Sequence, residues 1–539
     1  MGKVNGSSAA SDTRPEASTA DNHDLPFAKT LFEAADRLRG SVESAEYKHL
    51  VLGLIFLKYI SDSFERHRAA LDAATRDPGH ELFTEDEEER REILEDRDEY
   101  VADNVFWVPE GARWQELVEA ASQPDIGVRI DDALELIERD NENQLRGVLA
   151  KIYARAQLEP AKLGELVNTI SRVDFGEDES KARDLLGRTY EYFIKEFARA
   201  EGQRGGEFYT PRSVTQLLVR MLEPYEGRVF DPACGSCGLF VQSAEFVEAH
   251  GGRNLDIAIY GQELNQATWR IGKINLAIHG LSGDIALGNS LLDDRHPGLR
   301  ADYILANPPF NMKKWGASQV ADDVRWKYGT PPDGNANFAW VQHFVHHLAP
   351  DGQAGFVLAN GSLTSNTSGE AEIRKKLIED DLIDCIVALP GQLFYSTQIP
   401  VCLWFLDNNK ASRNERDRSG ETLFIDARQM GERISRTQII LTPEEVEKIT
   451  STFHNWRGTT GQPYQDEPGF CASVTTDEIA KHGHVLTPGR YVGAAEIEDD
   501  YEGFDSRMKE LTSELAEQFK ESERLMGEVK EALKAVGYE

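Results

Sequence analysis

The chain has 539 residues, 40% of them apolar and 9% aromatic, which supports about three or four domain-sized units and argues against wholesale disorder. Its 59 Lys and Arg against 93 Asp and Glu leave a formal charge of −34 at pH 7. Such a surface repels phosphate backbones unless it conceals a basic patch or borrows one from a partner, no apolar run is long enough for a membrane span, and no secretory signal is expected.

Residues 1–24, rich in Ser, Ala, Asp and Gly without period, read as a flexible tail. From Phe27 the pattern turns helical, with Leu31, Ala34, Ala35 and Leu38 on one face and Gly40 as a stop. A long helix is expected over 43–74, apolar nearly all round in its middle and so buried in a bundle. An acidic, solvated run at 85–99 follows, then helical text to about Ile170, including 130–137 and 145–153. Residues 25–175 thus read as a helical domain with no chemistry of its own.

After Gly176, short β-rich runs alternate with helical stretches: 228–231, 257–260, 303–307, 355–359, 385–389, 401–406 and 423–425. This alternation predicts an α/β domain over 176–495 with a mostly parallel sheet covered on both faces. The polar stretch 408–421 reads as a loop. In the last 40 residues, Met508, Leu511, Leu515, Phe519, Met526, Val529 and Leu533 repeat at helical spacing. Residues 496–539 therefore read as a helical extension, either a seam for a partner helix or a helix packed on its own chain.

Residues 229–240, Val-Phe-Asp-Pro-Ala-Cys-Gly-Ser-Cys-Gly-Leu-Phe, join a strand ending at Asp231 to a helix starting near Leu239. The spacing Asp231, Gly235, Gly238 differs from a dinucleotide fingerprint, and no P-loop lysine follows, so an adenosine ligand without phosphates fits better. The next strand ends at Glu263, an acid placed to accept from both ribose hydroxyls. Upstream, in Gly205-Gly-Glu-Phe-Tyr-Thr-Pro-Arg212, Thr210 is expected as an N-cap and Pro211 as the first helical residue, with the preceding loop folded over the same ligand. Cys234 and Cys237 read as small residues filling a tight turn. With Cys385, Cys402 and Cys471 they make five, few and odd in number, as in a reducing cytoplasm. His343, His346 and His347 lack carboxylate or Cys companions at ligand spacing and read as structural, so no metal site is expected.

Asn307-Pro308-Pro309-Phe310 closes the strand at 303–306. Two prolines make a rigid extended turn that aims the Asn307 side chain and the Pro308 carbonyl at one point, with Phe310 as a stacking face. Such a set suits an exocyclic amine on a planar ring. The two acceptors take its N–H groups and favour the positive charge that develops as nitrogen attacks a sulfonium methyl group. A base reaches such a pocket by leaving the duplex, and catalysis is positioning and electrostatics without a covalent enzyme intermediate. Cytosine C5 methylation requires a Cys nucleophile, typically in Pro-Cys, and the chain has no such dipeptide.

The order of these three motifs resembles that of the modification (methylase) subunit of type I restriction-modification systems. So do 46–62, Asp333-Gly-Asn-Ala-Asn-Phe-Ala-Trp340 and Leu486-Thr-Pro-Gly-Arg-Tyr491, and the likeness covers roughly residues 27–535. The resemblance implies a Rossmann-like S-adenosylmethionine-dependent methyltransferase domain that methylates N6 of a flipped adenine in double-stranded DNA. It implies cofactor contacts at Glu207, Phe208, Tyr209, Thr210, Pro211 and Arg212, at Ser236, Cys237 and Gly238, and at Glu263, and a catalytic motif at Asn307, Pro308, Pro309 and Phe310. It implies a separate specificity subunit that reads DNA, a restriction subunit with nuclease and translocase activity, two copies of this chain per specificity subunit, and a cytoplasmic location. The chain itself agrees: no target-recognition domain is visible after Phe310, and −34 charges grip DNA poorly. Lys313 and Lys314 are either phosphate contacts or a solvated pair. The seam in 496–539 is expected to dock the specificity subunit. Competing readings are an amino methyltransferase acting on protein glutamine or RNA, and a non-catalytic S-adenosylmethionine-binding scaffold.

Overall fold

The computed structural model describes residues 44–103, 105–155, 159–173, 179–201, 209–253, 256–367, 369–394, 399–411, 415–436 and 438–493, plus positions 32, 512, 518–520, 522, 524–527 and 529. Its helical part is built on α1 (Ser44–Arg76), α2 (Ile126–Asp140), α3 (Pro160–Ile170) and α4 (Glu179–Glu201). The apolar run inside α1 is buried on every side, and its one cation, Lys58, pairs with Asp62 a turn later. The acidic stretch forms a short helix, Glu87–Leu94, with no buried residue and Asp86 capping its first N–H groups. Helix does not continue through 145–153 as expected. It stops at Leu145, Gly147 takes a left-handed φ of 71°, and the Asp131 carboxylate accepts from the N–H groups of Tyr153 and Ala154 at 3.0 and 2.9 Å. A local apolar pattern cannot outweigh backbone donors captured by a distant carboxylate. Phe32 packs on Tyr192, Phe193 and Phe197 of α4; the rest of the expected 27–40 helix lies outside the described residues.

The α/β part follows as α5 (Arg212–Leu222), β1 (Gly227–Asp231), α6 (Gly238–Ala249), β2 (Ile257–Glu263), α7 (Gln266–Ile278), β3 (Gly283–Leu287) and β4 (Ala301–Ala306). It continues with α8 (Asn337–His347), β5 (Leu348–Ala359), α9 (Glu370–Glu379), β6 (Ile383–Ala388), β7 (Val401–Asp407), β8 (Glu421–Asp426), the pair β9 (Glu432–Arg433) and β10 (Ile439–Ile440), α10 (Pro443–Arg457) and β11 (Cys471–Thr475). One sheet runs β11-β8-β6-β7-β5-β4-β1-β2-β3. It is parallel except where β7 runs against β5 and β6, and β11 against β8. Helices α5, α6, α7 and α10 pack on one face and α8 and α9 on the other, so strands such as β7 are buried throughout. All seven expected strands are present. The edge strands β3 and β11 carry no continuous apolar run and escape a pattern search.

One feature ties the two parts together, and another ties the stretch after β7 to the sheet. The helical core includes Ile271, Ile274 and Ile278 of α7, so both parts share one apolar cluster. Beneath the sheet, the guanidinium of Arg418, in the expected loop, is 1% exposed and meets Asp384 at 3.1 Å, Asp407 at 2.9 Å and Glu415 at 2.5 Å. At the C-terminus Phe519, Met526 and Val529 are helical and exposed, whereas Met508, Leu511, Leu515 and Leu533 lie outside the described residues. Among the described residues no helix is long and apolar enough to cross a membrane.

Candidate active site at the carboxyl edge of the sheet

Strands β4, β1 and β2 lie side by side and parallel, so Asn307, Asp231 and Glu263 emerge together at one sheet edge. This is where an α/β fold leaves room for a ligand. The loop after β1 is held by its neighbours rather than by its own side chains. Asp231 Oδ1 accepts from Ala233 N at 2.9 Å, and Ser290 Oγ donates to Pro232 O at 2.5 Å. Cys234 N donates to Gln262 O at 3.1 Å, and Asn275 Nδ2 to Ser236 O at 2.9 Å. Gly235 and Cys237 are both left-handed, with φ of 53° and 61°, which turns the chain sharply into α6. Glu263 closes the loop from the side, accepting from Gly235 N at 3.1 Å and Asn265 N at 2.7 Å.

A cleft open to solvent lies over this loop. Of the residues singled out from sequence, Tyr209, Thr210, Arg212, Asp231, Gly235, Ser236, Gly238 and Asn307 line it. Pro211, Cys237 and Pro308 are buried behind the wall, and Glu263 reaches the loop through Gly235. Pro309 and Phe310 follow Asn307 outside the lining; Phe310 is half-buried against both apolar layers. Glu207 and Phe208 lie outside the described residues. The structure adds Glu191, Ile194, Gln242 and Asn275, which no motif marked. They come from helices far apart in sequence, and only their convergence identifies them.

The expected cap is corrected. Helix α5 starts at Arg212 with Pro211 at the cap position and no side-chain cap bond. The Thr210 hydroxyl instead accepts from Asn307 Nδ2 at 3.0 Å. That bond turns the other amide atom, Oδ1, inward, where it is buried without a partner among the described residues. Asn337, almost fully buried at the start of α8, braces the following turn: its Oδ1 accepts from Asn311 N at 2.8 Å and its Nδ2 donates to Asn311 Oδ1 at 3.2 Å. Lys313 and Lys314 are exposed beyond it.

Burial pushes Asp231 up to about 8 and also raises Glu263. The native state thus holds a proton on Asp231 that an unfolded Asp releases near pH 4, and stability falls as pH rises from about 4 to about 8. Asp231→Asn keeps the acceptor for Ala233 but not the titration. Its thermal midpoint, measured without ligand, should gain on wild type steadily across that window; parallel curves would show that burial does not perturb Asp231. A hydrogen bond to Cys237, then burial, holds the Cys234 thiol well above its ordinary range, as a packing role requires.

Gly272 of α7 lies against the loop: a Cβ there would stand 2.8 Å from both Gly235 O and Cys237 Sγ. Gly272→Ala should therefore destabilise by about 1–3 kcal/mol, read from denaturant unfolding, because backbone and a buried side chain must move together. A wild-type midpoint would show that the loop yields freely.

His347 gains the companion that sequence spacing did not show: its Nε2 is 3.0 Å from Asp294 Oδ2, and its Nδ1 is 3.1 Å from Leu299 O. Nearby, the buried Arg325 guanidinium donates to His343 Nδ1 at 2.9 Å and occupies that ring's lone pair. These four side chains form a polar network in the core.

Residues 181–500 match the family described as N-6 DNA Methylase, and residues 27–170 match the HsdM N-terminal domain. The chain is 43% identical to the type I restriction enzyme MjaIX methylase subunit of Methanocaldococcus jannaschii, over 95% of this chain and 92% of that protein. It is 46% identical to the HindI methylase subunit of Haemophilus influenzae, over 80% of this chain and all of the relative. The crystal structure of the type I restriction-modification system methyltransferase subunit from Streptococcus thermophilus superposes with a TM-score of 0.70 at 26% identity, covering 86% of this chain and 98% of that one. The chain therefore belongs to the methylase subunits of type I restriction-modification systems and carries an N6-adenine DNA methyltransferase domain.

Proposed function

We propose that the cleft binds S-adenosylmethionine and that Asn307 presents a flipped-out adenine of double-stranded DNA to it, with sequence choice left to a separate specificity subunit. The observation that carries this reading is the buried Oδ1 of Asn307, unpartnered among the described residues and held in place by Thr210 at the cleft wall. A buried acceptor without a donor is costly, and an exocyclic amine supplies the donor it lacks. The cleft suits the cofactor: a tight glycine turn leaves the backbone approachable, an acid closes its side, and Asn275 Oδ1 is a second buried acceptor without a partner among the described residues. When bound, S-adenosylmethionine supplies an electrophilic methyl group on a sulfonium centre.

The chain's residues do the rest. Asn307 Oδ1 and the Pro308 carbonyl accept the two amine N–H groups and favour positive charge as it grows on nitrogen. The prolines hold that pair rigid, and Phe310 is the stacking face for the extruded base. In this reading Tyr209, Thr210, Pro211, Arg212, Asp231, Gly235, Ser236, Cys237, Gly238 and Glu263, with Glu207 and Phe208, hold the cofactor. The division into tail (1–24), helical domain (25–175), catalytic domain (176–495) and docking segment (496–539) belongs to the same proposal. So do the cytoplasmic location, the restriction subunit as a further partner, and two copies of this chain per specificity subunit.

Methyl transfer from radiolabelled S-adenosylmethionine to DNA, with nucleoside mass spectrometry, tests it. N6-methyladenine should form only when the specificity subunit is present. A cofactor-binding protein that labels no DNA in either condition refutes the DNA assignment and points to protein or RNA amides and amines. The partner assignment has its own test: removing residues 498–539 should abolish copurification with the specificity subunit while S-adenosylmethionine affinity stays within about twofold. The exposed Phe519, Met526 and Val529 support it.

A further inference from the structure

One wall of the cleft belongs to the helical part of the molecule. Glu191 and Ile194 lie on α4, whose neighbours Leu186, Tyr190 and Phe193 are buried in the helical core. The Tyr190 hydroxyl donates to Ile271 O on α7 at 3.4 Å, so α4 and α7 are fixed relative to each other. One turn along α7, Asn275 spends its Nδ2 on Ser236 O of the glycine loop, and its Oδ1 is buried in the cleft wall without a donor among the described residues. Arg212 stands at the start of α5 and lines the same cleft.

These groups differ in chemical demand. Glu191 and Asn275 Oδ1 are acceptors, Arg212 is a donor-only cation, and all three border one small volume. Asp231, the other carboxyl in the wall, carries little negative charge at neutral pH because burial holds its proton. An anion in the cleft therefore has Arg212, and a cation has Glu191. An α-amino-acid zwitterion presents both charges within a few ångströms, with three N–H donors on one and two acceptor oxygens on the other.

We propose that Glu191 and Asn275 seat the α-ammonium, and Arg212 the α-carboxylate, of the amino-acid end of the cofactor, so that the helical domain completes the cofactor site. This rests on the S-adenosylmethionine reading above and adds to it a residue from outside the catalytic motifs. It also gives α4 a reason to present Glu191 where a bundle surface needs no particular residue.

Equilibrium binding to the full chain separates the alternatives, with two probes: S-adenosylhomocysteine, which keeps the amino-acid end, and 5′-methylthioadenosine, which lacks it. Wild type should bind the first more tightly. Glu191→Gln should weaken S-adenosylhomocysteine about tenfold and leave 5′-methylthioadenosine within about twofold, the size expected for a charge-assisted hydrogen bond made neutral. Glu245→Gln is the control, because Glu245 approaches Glu191 and His279 (the three possible ligand atoms lie within 4.8 Å) but does not line the cleft. Equal losses for both probes, no loss for either, no wild-type preference, or an equal effect of Glu245→Gln would each overturn the assignment. A wild-type chain that binds neither probe refutes the cofactor reading itself, which is a different failure. Thermal melting of Glu191→Gln close to wild type excludes simple misfolding.

Discussion

Asn307→Ala should lower methyl transfer to DNA, in the complex with the specificity subunit, by about 10²–10³-fold while S-adenosylmethionine affinity stays within about twofold. The magnitude is that of removing one preorganised hydrogen-bonding group aimed at charge that develops in the transition state. Binding is spared because the glycine loop is held by hydrogen bonds with Gln262, Ser290, Asn275 and Glu263, whereas the Asn307 side chain is bonded to Thr210. Thr210→Val makes the argument sharper. It leaves the acceptor in place but removes the hydroxyl that takes Asn307 Nδ2, so the amide loses its fixed orientation. A loss of about tenfold in turnover, near 1.4 kcal/mol, is expected at saturating S-adenosylmethionine, where any change in cofactor affinity at this cleft residue no longer enters the rate. Full activity in Asn307→Ala would remove this residue from the chemistry.

The largest effect on stability is expected from Arg418→Ala, at about 3–5 kcal/mol in denaturant unfolding. The guanidinium is enclosed by Asp384 and Asp407, themselves 2% and 1% exposed, and by Glu415. Arg457 adds a second cation, with Glu415 Oε1 at 2.6 Å, and Gln353 Nε2 donates to Asp407 Oδ2 at 3.0 Å. Removing Arg418 leaves buried carboxylates with too few donors, and burial without a partner penalises their charged form. A deficit under about 1 kcal/mol would mean that the cluster is hydrated or that Arg457 alone neutralises it.

What the sequence determined by itself is local in origin. Alternation of short β-rich runs with helical text gave the α/β class and its central strands, because a strand buried on both faces must be apolar almost throughout. Asn307 and the turn at Asp231 to Gly238 were legible because proline, glycine and a strand end specify their own backbone. Where neighbours compete, the local pattern misled. The stretch 145–153 is helical in periodicity, yet Asp131 holds its far end out of the helix. Thr210 has the residue type of a cap, yet its hydroxyl is taken by Asn307, 97 positions away. Edge strands β3 and β11 are half-solvated and leave no apolar signature. The tertiary structure alone decided that Glu191 and Asn275 share a wall with Arg212, that Asp294 faces His347, and that Arg418 gathers three carboxylates. Each of these depends on where distant segments meet, and no period along the chain records a meeting made by packing.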